Sequence, residues 1–442
     1  MSLLTFRGGI HPPEAKETTA NLEIKKAAEP TTVVIPMQQH IGAPCQPIVK
    51  AGDIVKVGQK IGEAQGFVSS PVHSSVSGTV KAVEEVPVST GSKALAVIIE
   101  SDGKNEIDSS IQPKGDIENL EPEEIVHIIK DAGIVGMGGA TFPTHVKLSP
   151  PPDKKLDTII LNGAECEPYL TADHRLMLES PEEIVYGLKA IMKAVGVQKG
   201  YIGIENNKPD AIETMLKAVE NESNIKVVAL QTKYPQGGEK QLIYAITKRE
   251  VPSGGLPMDI GVVVSNVATA QQIARTIKTG MPLIDRVATI TGKAIKEPKN
   301  LLIKIGTPIK ELIEECGGYA VTPGKLILGG PMMGNAQHTD EIPAVKGTSG
   351  ILVLDEEAAE IPIPLNCIRC GRCVEICPAN LQPVLISENA LRDRTDEAEK
   401  YRALDCIECG SCSYTCPAKR PLLPSIRVAK GKILAKRREQ KK

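Results

Sequence analysis

Residues 367–379 read C-I-R-C-G-R-C-V-E-I-C-P-A, and residues 406–418 repeat the pattern as C-I-E-C-G-S-C-S-Y-T-C-P-A. Three thiolates spaced by two residues each can hold the corners of an iron-sulfur cubane, and the proline after the fourth cysteine turns it toward a second cluster. The sequence therefore predicts two [4Fe-4S] clusters with crossed ligation. The first set is Cys367, Cys370, Cys373 and Cys416, and the second is Cys406, Cys409, Cys412 and Cys377.

Structural zinc and disulfides are the alternatives for these cysteines. Zinc uses four-cysteine sites at C-x-x-C spacings, but it needs neither the third cysteine of each run nor the C-P ending. Disulfides suit secreted chains, and the N-terminus shows no apolar signal core. The spacer between the runs, residues 379–405, is rich in Leu, Glu, Ala and Arg and predicts helix. It resembles the α-helical type of two-cluster ferredoxin.

Composition limits the remaining possibilities. A chain of 442 residues exceeds what one hydrophobic core supports, so several domains are expected. A net charge of -2 from 52 basic and 54 acidic residues argues against nucleic-acid binding. No apolar run approaches the length needed to span a bilayer, so we expect a soluble or peripheral protein in a reducing cytoplasm. The three other cysteines, Cys45, Cys166 and Cys316, are expected to be buried thiols.

The hydrophobic pattern predicts a multidomain α/β protein with four parts. Residues 1–115 contain short β-branched runs between about 33 and 100, followed by a linker, and resemble a barrel-sandwich hybrid without its modifiable lysine motif. Residues 116–283 alternate helices with strands near 157–161, 201–204, 225–230 and 261–265, which predicts a layered, Rossmann-like α/β domain. Ser180 and Glu183 form a capping-box pattern there. Residues 284–340 suggest a β-grasp module, and residues 341–442 the cluster domain with a basic C-terminal tail.

A glycine loop lies at the start of the second part. Residues 133–147 read G-I-V-G-M-G-G-A-T-F-P-T-H-V-K, with Gly136, Gly138 and Gly139 close together. Bare backbone lets N-H groups converge on a phosphate, and Lys147 can neutralise it. The run is neither a Walker A motif nor a G-x-G-x-x-G turn, and a glycine turn without any ligand is the alternative.

This loop resembles G-x-G-G-x-x-F-P-x-x-x-K of the flavin-binding subunit of respiratory complex I and of the C subunit of Rnf electron-transport complexes. The run N-G-A-E-C-E-P at 162–168 resembles N-A-D-E-G-E-P, and S-N-V-A-T at 265–269 resembles N-N-V-E-T. By resemblance, FMN is held by Gly136, Gly138, Gly139, Lys147, Asn162, Glu165, Asn266 and Thr269. Phe142, Gly238 and Lys240 are further cofactor contacts, and Glu167 and Glu239 are implied as catalytic residues that face NAD(H).

The resemblance to the C subunit of Rnf complexes extends over nearly the whole chain, because the four parts follow in the same order. It implies a peripheral subunit on the cytoplasmic face of the cell membrane, which exchanges hydride between NAD(H) and FMN and passes single electrons through the clusters. Ferredoxin oxidation and NAD+ reduction would drive Na+ or H+ translocation by the other subunits of the complex. The alternatives are a cobalamin reductase of a microcompartment, or a cluster relay whose flavin site is degenerate at Met137, Thr141, Ala164 and Cys166.

Overall fold

A barrel-sandwich of two small antiparallel sheets follows an N-terminal segment in the computed structural model, which describes residues 3–440. One sheet has the order β2-β8-β7-β4 and the other β3-β5-β6. Val33, Ile35, Ile61 and Ile99 fill the space between them with no exposed surface. The strands of this region are β1 (Ile24–Lys26), which lies outside the sandwich, β2 (Thr32–Pro36), β3 (Gln46–Pro47), β4 (Ile54–Val55), β5 (Lys60–Glu63), β6 (Val72–His73), β7 (Gly78–Pro87) and β8 (Lys93–Ser101).

A four-stranded parallel sheet with the order β11-β10-β9-β12 forms the next layer. Ile159 and Leu161 face one hydrophobic core and Ile160 faces the other, so helices cover both faces. The elements are α1 (Pro122–Asp131), α2 (Thr144–Lys147), β9 (Thr158–Gly163), α3 (Ala172–Glu179), α4 (Pro181–Ala194), β10 (Gly200–Glu205), α5 (Pro209–Ala218), β11 (Ile225–Leu230), α6 (Glu239–Thr247), β12 (Val262–Asn266) and α7 (Val267–Thr279), with 3-10 turns at Ile117–Asn119 and Pro257–Ile260.

The order in which successive strands are added to the sheet reverses at β9. The chain adds β10 on one side of β9 and later β12 on the other, so the carboxyl ends of β9 and β12 flank a topological switch point. The ends of each predicted strand of this layer lie within two residues of the ends of an observed strand. The predicted capping box is wrong: Ser180 makes no side-chain capping bond, because it joins α3 directly to α4.

A six-stranded sheet with the order β1-β14-β13-β17-β15-β16 packs beside this layer. Its strands and helix are β13 (Asp285–Thr291), β14 (Lys299–Lys304), α8 (Ile309–Glu315), β15 (Pro323–Leu328), β16 (Asn335–Gln337) and β17 (Gly350–Asp355). The predicted range of 284–340 omitted β1, which pairs with β14, and β17, which pairs with β13 and β15. Both strands lie outside residues 284–340 in the sequence, so the pattern of short strands within that range could not indicate that they join the sheet.

The cysteine region is helical, as the spacer composition predicted. Its helices are α10 (Arg372–Glu375), α11 (Pro383–Leu391), α12 (Thr395–Lys400), α13 (Ser411–Thr415) and α14 (Leu422–Glu439), with a 3-10 turn at Ala403–Asp405, whereas α9 (Glu356–Ala359) packs on the six-stranded sheet. The basic C-terminal stretch forms α14, with Ile426 and Ile433 buried in the core of this region, and its residues 441–442 lie outside the described residues. Among residues 3–440, no helix is both long and apolar enough to cross a membrane.

The N-terminal segment, residues 3–26, lies outside the two sheets of the sandwich, whose strands begin at Thr32. Leu4 bridges to Leu230 of β11, and Ile10 bridges to Tyr234. The Gly9 N-H donates to the Ile376 carbonyl in the cysteine region at 2.8 Å. This segment therefore ties the parallel-sheet layer to the cysteine region.

Candidate functional site

The glycine loop lies across the carboxyl ends of β9 and β12. The Gly136 N-H donates to the Phe142 carbonyl at 2.9 Å, and the Met137 N-H donates to Oγ1 of the buried Thr269 at 2.9 Å. A Cβ at Gly138 would stand 2.6 Å from Nδ2 of Asn266, so the backbone rests directly on that amide. A Cβ at Gly139 would meet nothing within 4 Å. The loop is thus anchored on one side and open on the other, as a phosphate cradle requires.

Two asparagines end the neighbouring strands β9 and β12 in register with each other, Asn162 opposite Asn266. Asn266 caps α7 by accepting from the Ala268 N-H at 2.9 Å, and its Nδ2 donates to Oδ2 of Asp173 at 2.7 Å. Asn162 donates to the Gly237 carbonyl at 2.9 Å. The structure therefore places the glycine loop, both asparagines and Thr269 together at the switch point.

Lys147 and Glu239 form an ion pair at the edge of this site. Nζ of Lys147 lies 2.9 Å from Oε1 of Glu239 and 2.8 Å from the Val264 carbonyl. Gly238 is the N-cap of α6, which Glu239 and Lys240 begin. Lys240 makes no side-chain hydrogen bond or ion pair within residues 3–440. The charge of Lys147 is thus already balanced, and Glu239 is the group that balances it.

Glu165 has a structural partner that the sequence did not indicate. Its carboxylate accepts the N-H groups of Asp173 at 2.7 Å and His174 at 3.2 Å, and so caps the N-terminus of α3. Burial raises the pKa of Glu165 to about 7, against the opposing charge of Lys16, whose Nζ lies 4.0 Å away. Lys16 also donates to the carbonyls of Glu165 and Glu167. The resemblance implied that Glu165 contacts FMN, whereas both of its carboxylate oxygens accept backbone N-H groups in this structure.

Glu167 faces the six-stranded sheet. One carboxylate oxygen accepts the Met332 N-H at 3.0 Å, and the other accepts the Met333 N-H at 2.9 Å and the Tyr234 hydroxyl at 3.3 Å. A Cβ at Gly330 would overlap this carboxylate. Burial raises the pKa of Glu167. These contacts do not support a catalytic role at the nicotinamide, because they use the carboxylate to fix the loop at 330–333.

Arg286 supplies a buried cation behind the glycine loop. Its guanidinium is 2% exposed and donates to the Lys346 carbonyl at 2.7 Å and to the Met137 carbonyl at 3.3 Å. β13 thus brings a guanidinium to the backbone of Met137 from elsewhere in the sequence. The sequence analysis missed Arg286, and an arginine inside the apolar run of β13 was its only signal.

The cysteines fall into two groups across the repeats. Cys377 lines one apolar pocket together with Cys406, Cys409 and Cys412. Burial raises the pKa of Cys406 to about 11, and the neighbouring Cys409 and Cys377 act in the same direction. Within residues 3–440, no three His, Cys, Asp or Glu side chains are close enough to bind a single metal ion. Four thiols that line one pocket but are too far apart for a single ion suit a cubane better than the zinc alternative.

The other group contains Cys416 from the second repeat. Burial raises the pKa of Cys373, and Cys416 and Cys367 act in the same direction, so these thiols are neighbours. Cys367 and Cys370 are exposed, whereas Cys377, Cys409 and Cys412 are buried. One group of thiols therefore lies at the surface and one in the interior, and each contains a cysteine from the other repeat.

The interior cluster site and the flavin loop share a wall. Tyr234, which is 1% exposed, packs in one apolar cluster with Cys409 and Ile10, and Cys166 packs against them. The Gly237 N-H donates to Sγ of Cys166 at 3.2 Å, and Gly237 also contacts Asn162. A single layer of side chains thus separates the residues at the switch point from the interior cysteines. The sequence analysis missed Tyr234, because nothing near it in the chain marks a contact with Cys409.

Four family models match in chain order. They are the RnfC barrel sandwich hybrid domain at residues 4–104, the Nuo51 FMN-binding domain at 129–275, the SLBB domain at 287–336 and the 4Fe-4S dicluster domain at 366–419. The matches give this chain an FMN-binding domain and a dicluster domain. A solved NAD+-reducing [NiFe]-hydrogenase in the H2-reduced state is only distantly similar, with a TM-score of 0.48 and 16% identity over 73% of this chain and 63% of that chain.

Several curated relatives match over most of their length. The C subunit of the Na+-translocating ferredoxin:NAD+ oxidoreductase complex of Acetobacterium woodii is 58% identical over 98% of this chain and 98% of its own. The C subunit of the proton-translocating complex of Clostridium ljungdahlii is 52% identical over 90% and 87%. The C subunit of the ion-translocating oxidoreductase complex of Rhodobacter capsulatus is 45% identical over 97% and 83%. With the four domain matches in order, these identities show that the chain belongs to the family of C subunits of Rnf-type ion-translocating oxidoreductase complexes.

Proposed function

We propose that this chain is the NAD(H)-reacting electron-transfer subunit of an Rnf-type complex. It exchanges hydride between NAD(H) and FMN and passes single electrons through two [4Fe-4S] clusters. Its complex couples ferredoxin oxidation and NAD+ reduction to Na+ or H+ translocation by partner subunits. The observation that carries this proposal is the chain of contacts from Cys409 through Tyr234 and Cys166 to Gly237 and Asn162, which joins the interior cysteines to the switch point.

The phosphate of FMN would lie on the open face of the glycine loop. The backbone N-H groups of Gly138 and Gly139 would donate to it, while Asn266 and Thr269 hold the loop from behind and Arg286 adds positive charge. When bound, the flavin accepts two electrons as hydride and releases them singly. Asn162 and Gly237 would form the wall toward the interior cysteines. Glu165 and Glu167 act by holding this wall in place.

NAD(H) would approach from the exposed side of the loop. Phe142, Gly238, Glu239 and Lys240 lie on that rim, and all four are half-buried. The ion pair between Lys147 and Glu239 can rearrange when an anionic nucleotide arrives, because both side chains are partly exposed, at 32% and 41%. The rim supplies hydrogen-bonding groups, and the wall behind the loop excludes water from the reacting face.

When NADH is the electron donor, the interior cluster would take electrons first and the surface cluster second, and during NAD+ reduction this order would reverse. Cys377, Cys406, Cys409 and Cys412 adjoin the flavin wall, whereas Cys367 and Cys370 face solvent, where a partner can reach them. We place the chain at the cytoplasmic face of the membrane, held by its partner subunits. We divide it into the barrel-sandwich at 32–101, the flavin domain at 116–283, the six-stranded module at 284–355 and the cluster domain from 356.

An anaerobic preparation tests this proposal. We expect about eight iron and about one FMN per chain, and NADH-dependent reduction of ferricyanide by the isolated protein. Tyr234→Phe keeps the apolar wall and removes only the hydroxyl bond to Glu167, so it should retain both cofactors. A preparation with a full complement of cofactors and no NADH oxidation would contradict the assignment.

A further inference from the structure

Two consecutive glycines of the N-terminal segment lie against the outer side of the interior cysteines. Gly8 and Gly9 both have left-handed backbone, with a φ of 83° each. A Cβ at Gly8 would lie 2.9 Å from the carbonyl oxygen of Ile376 and 3.1 Å from that of Cys377. A Cβ at Gly9 would lie 2.8 Å from the carbonyl oxygen of Tyr234. Both positions therefore require glycine, one against the cysteine region and one against the flavin domain.

Backbone hydrogen bonds hold this glycine turn on both sides. The Gly9 N-H donates to the Ile376 carbonyl at 2.8 Å. Ile10 and Tyr234 each donate their N-H to the carbonyl of the other, at 2.8 Å in both directions. We name residues 6–10 the N-terminal clasp, because their backbone holds the cysteine region and the flavin domain together.

The two large apolar side chains of the clasp are buried. Phe6 and Ile10 are 6% and 7% exposed. Ile10 lies in one apolar cluster with Cys409, whereas the backbone of Gly8 contacts the carbonyl of Cys377. The clasp thus covers two of the four cysteines that line the interior pocket, and it does so from outside the pocket.

The surface cysteines lie open to solvent by comparison. Cys367 and Cys370 are exposed, whereas Cys377 and Cys409 are 8% and 7% exposed. The two cysteine runs share one spacing, so this difference comes from what packs on them and not from the motif. A small molecule in solution reaches a buried group through local opening of the segments that cover it. The clasp is such a segment for the interior pocket.

We propose that the N-terminal clasp shields the interior cluster from dioxygen, so that this cluster outlasts the surface cluster in air. The inference rests on the proposed function, since it concerns one of the two clusters assigned there. Dioxygen takes an electron from an accessible cubane and is reduced to superoxide, and the oxidised cubane then releases iron. The clasp supplies no ligand, so opening it would leave every cluster cysteine in place and change only access to the site.

The first test uses the full-length holoprotein with Cys370→Ser, which leaves the interior cluster as the intact one. Gly8→Ala is added to this background, because its Cβ would push the clasp off the Ile376 carbonyl. The matched control is Gly91→Ala in the same background. Gly91 is also left-handed, with a φ of 79°, but a Cβ there would meet nothing within 4 Å. The control therefore carries the same backbone strain without displacing the clasp.

A second pair of variants leaves the glycine turn unchanged. Ile10→Ala keeps the backbone hydrogen bonds and removes most of the apolar side chain beside Cys409. Its matched control is Ile35→Ala, because Ile35 has no exposed surface and lies in the core of the barrel-sandwich. Both substitutions empty a buried aliphatic site, so the comparison separates the clasp from a general loss of stability.

The readout is the rate at which iron and visible cluster absorbance are lost when anaerobic protein is exposed to air. FMN content and the thermal midpoint of unfolding are measured on the same samples. We expect both clasp variants to lose the interior cluster about tenfold faster than their controls, with FMN content unchanged. In the protein without Cys370→Ser, about half of the iron should be lost quickly and the rest slowly.

Three outcomes would overturn the clasp proposal. One is an equal rate of iron loss in the clasp variants and their controls. Another is a single fast phase for all of the iron in the wild-type protein. The third is an equal acceleration in Ile35→Ala and Ile10→Ala, which would assign the effect to overall stability. A wild-type protein that holds both clusters and FMN but does not oxidise NADH would instead refute the proposed function, and the rates of iron loss would still test the clasp.

Discussion

Gly138→Ala should break the contact that holds the glycine loop in place. The new Cβ would lie 2.6 Å from Nδ2 and 2.8 Å from Cγ of Asn266. The amide cannot rotate away freely, because the Ala268 N-H holds its oxygen and Asp173 holds its nitrogen. Either the loop moves off the switch point or Asn266 loses both bonds. In both cases the backbone N-H groups no longer converge on the open face.

The size of the effect follows from the two bonds. Losing a helix cap costs about 1 kcal/mol, and losing a hydrogen bond to a charged group costs about 1.5 to 3 kcal/mol. The sum, about 2.5 to 4 kcal/mol, is divided between FMN affinity and folding stability. If all of it appeared in FMN binding, the affinity would fall about 60- to 900-fold.

Two kinds of measurement separate the effect on FMN affinity from the effect on folding stability. FMN released on denaturation and the FMN dissociation constant report the first, and the thermal midpoint of unfolding reports the second. Gly136→Ala is the matched control, because its Cβ would be 3.7 Å from the nearest atom, the Phe142 carbonyl oxygen. In an Asn266→Gly background, Gly138→Ala should add little, since the amide and the Cβ, which would lie 2.9 Å away, are both gone. Wild-type FMN content and stability in Gly138→Ala would refute the placement of the loop on Asn266.

Three further predictions follow from the interior of the protein. Cys377→Ser should damage the cluster of the second repeat and leave that of Cys367 intact; loss of the Cys367 cluster alone, seen by iron content and EPR, would contradict crossed ligation. Glu167→Gln should raise the potential of the interior cluster, since a nearby negative charge is removed; an unchanged potential in EPR redox titration would count against this. Burial lifts the pKa of Glu165 from 4.5 to about 7, so its contribution to stability falls as pH rises through that range. Lys16→Gln raises that pKa further and should therefore destabilise more at about pH 9 than at about pH 5 in urea unfolding; equal losses would refute the pairing.

Local patterns in the sequence predicted much of the fold. The strands of the parallel sheet and the helical spacer follow from hydrophobic period and composition. The repeat spacing also predicted that Cys377 would lie with the cysteines of the other run, and its place in the interior cavity agrees with this expectation. These features depend on residues close in sequence or on a repeated motif.

Contacts between distant segments could not be predicted in this way. Lys16 reaches Glu165 across 149 residues, and Met332 reaches Glu167 across 165 residues. Glu165 and Glu167 lie in a motif that points to cofactor binding, yet their oxygens are used by N-H groups that only the tertiary fold brings near. The basic residues of α14 likewise suggested a free tail, but acids on α12 and in the turn before it balance several of them. Sequence therefore identified the region of the site better than the role of each residue in it.

The central claim is that the interior cluster lies between the flavin site and the surface cluster, so that electrons supplied by NADH, in the reverse of NAD+ reduction, reach the interior cluster before the surface cluster. Rapid-freeze EPR of the holoprotein mixed with NADH, beside a Cys370→Ser variant that lacks an intact surface cluster, tests it directly. We predict that a reduced-cluster signal from the interior site appears first and persists at the same rate in Cys370→Ser. A surface-cluster signal that appears first, or loss of all NADH-dependent cluster reduction in that variant, would contradict this order.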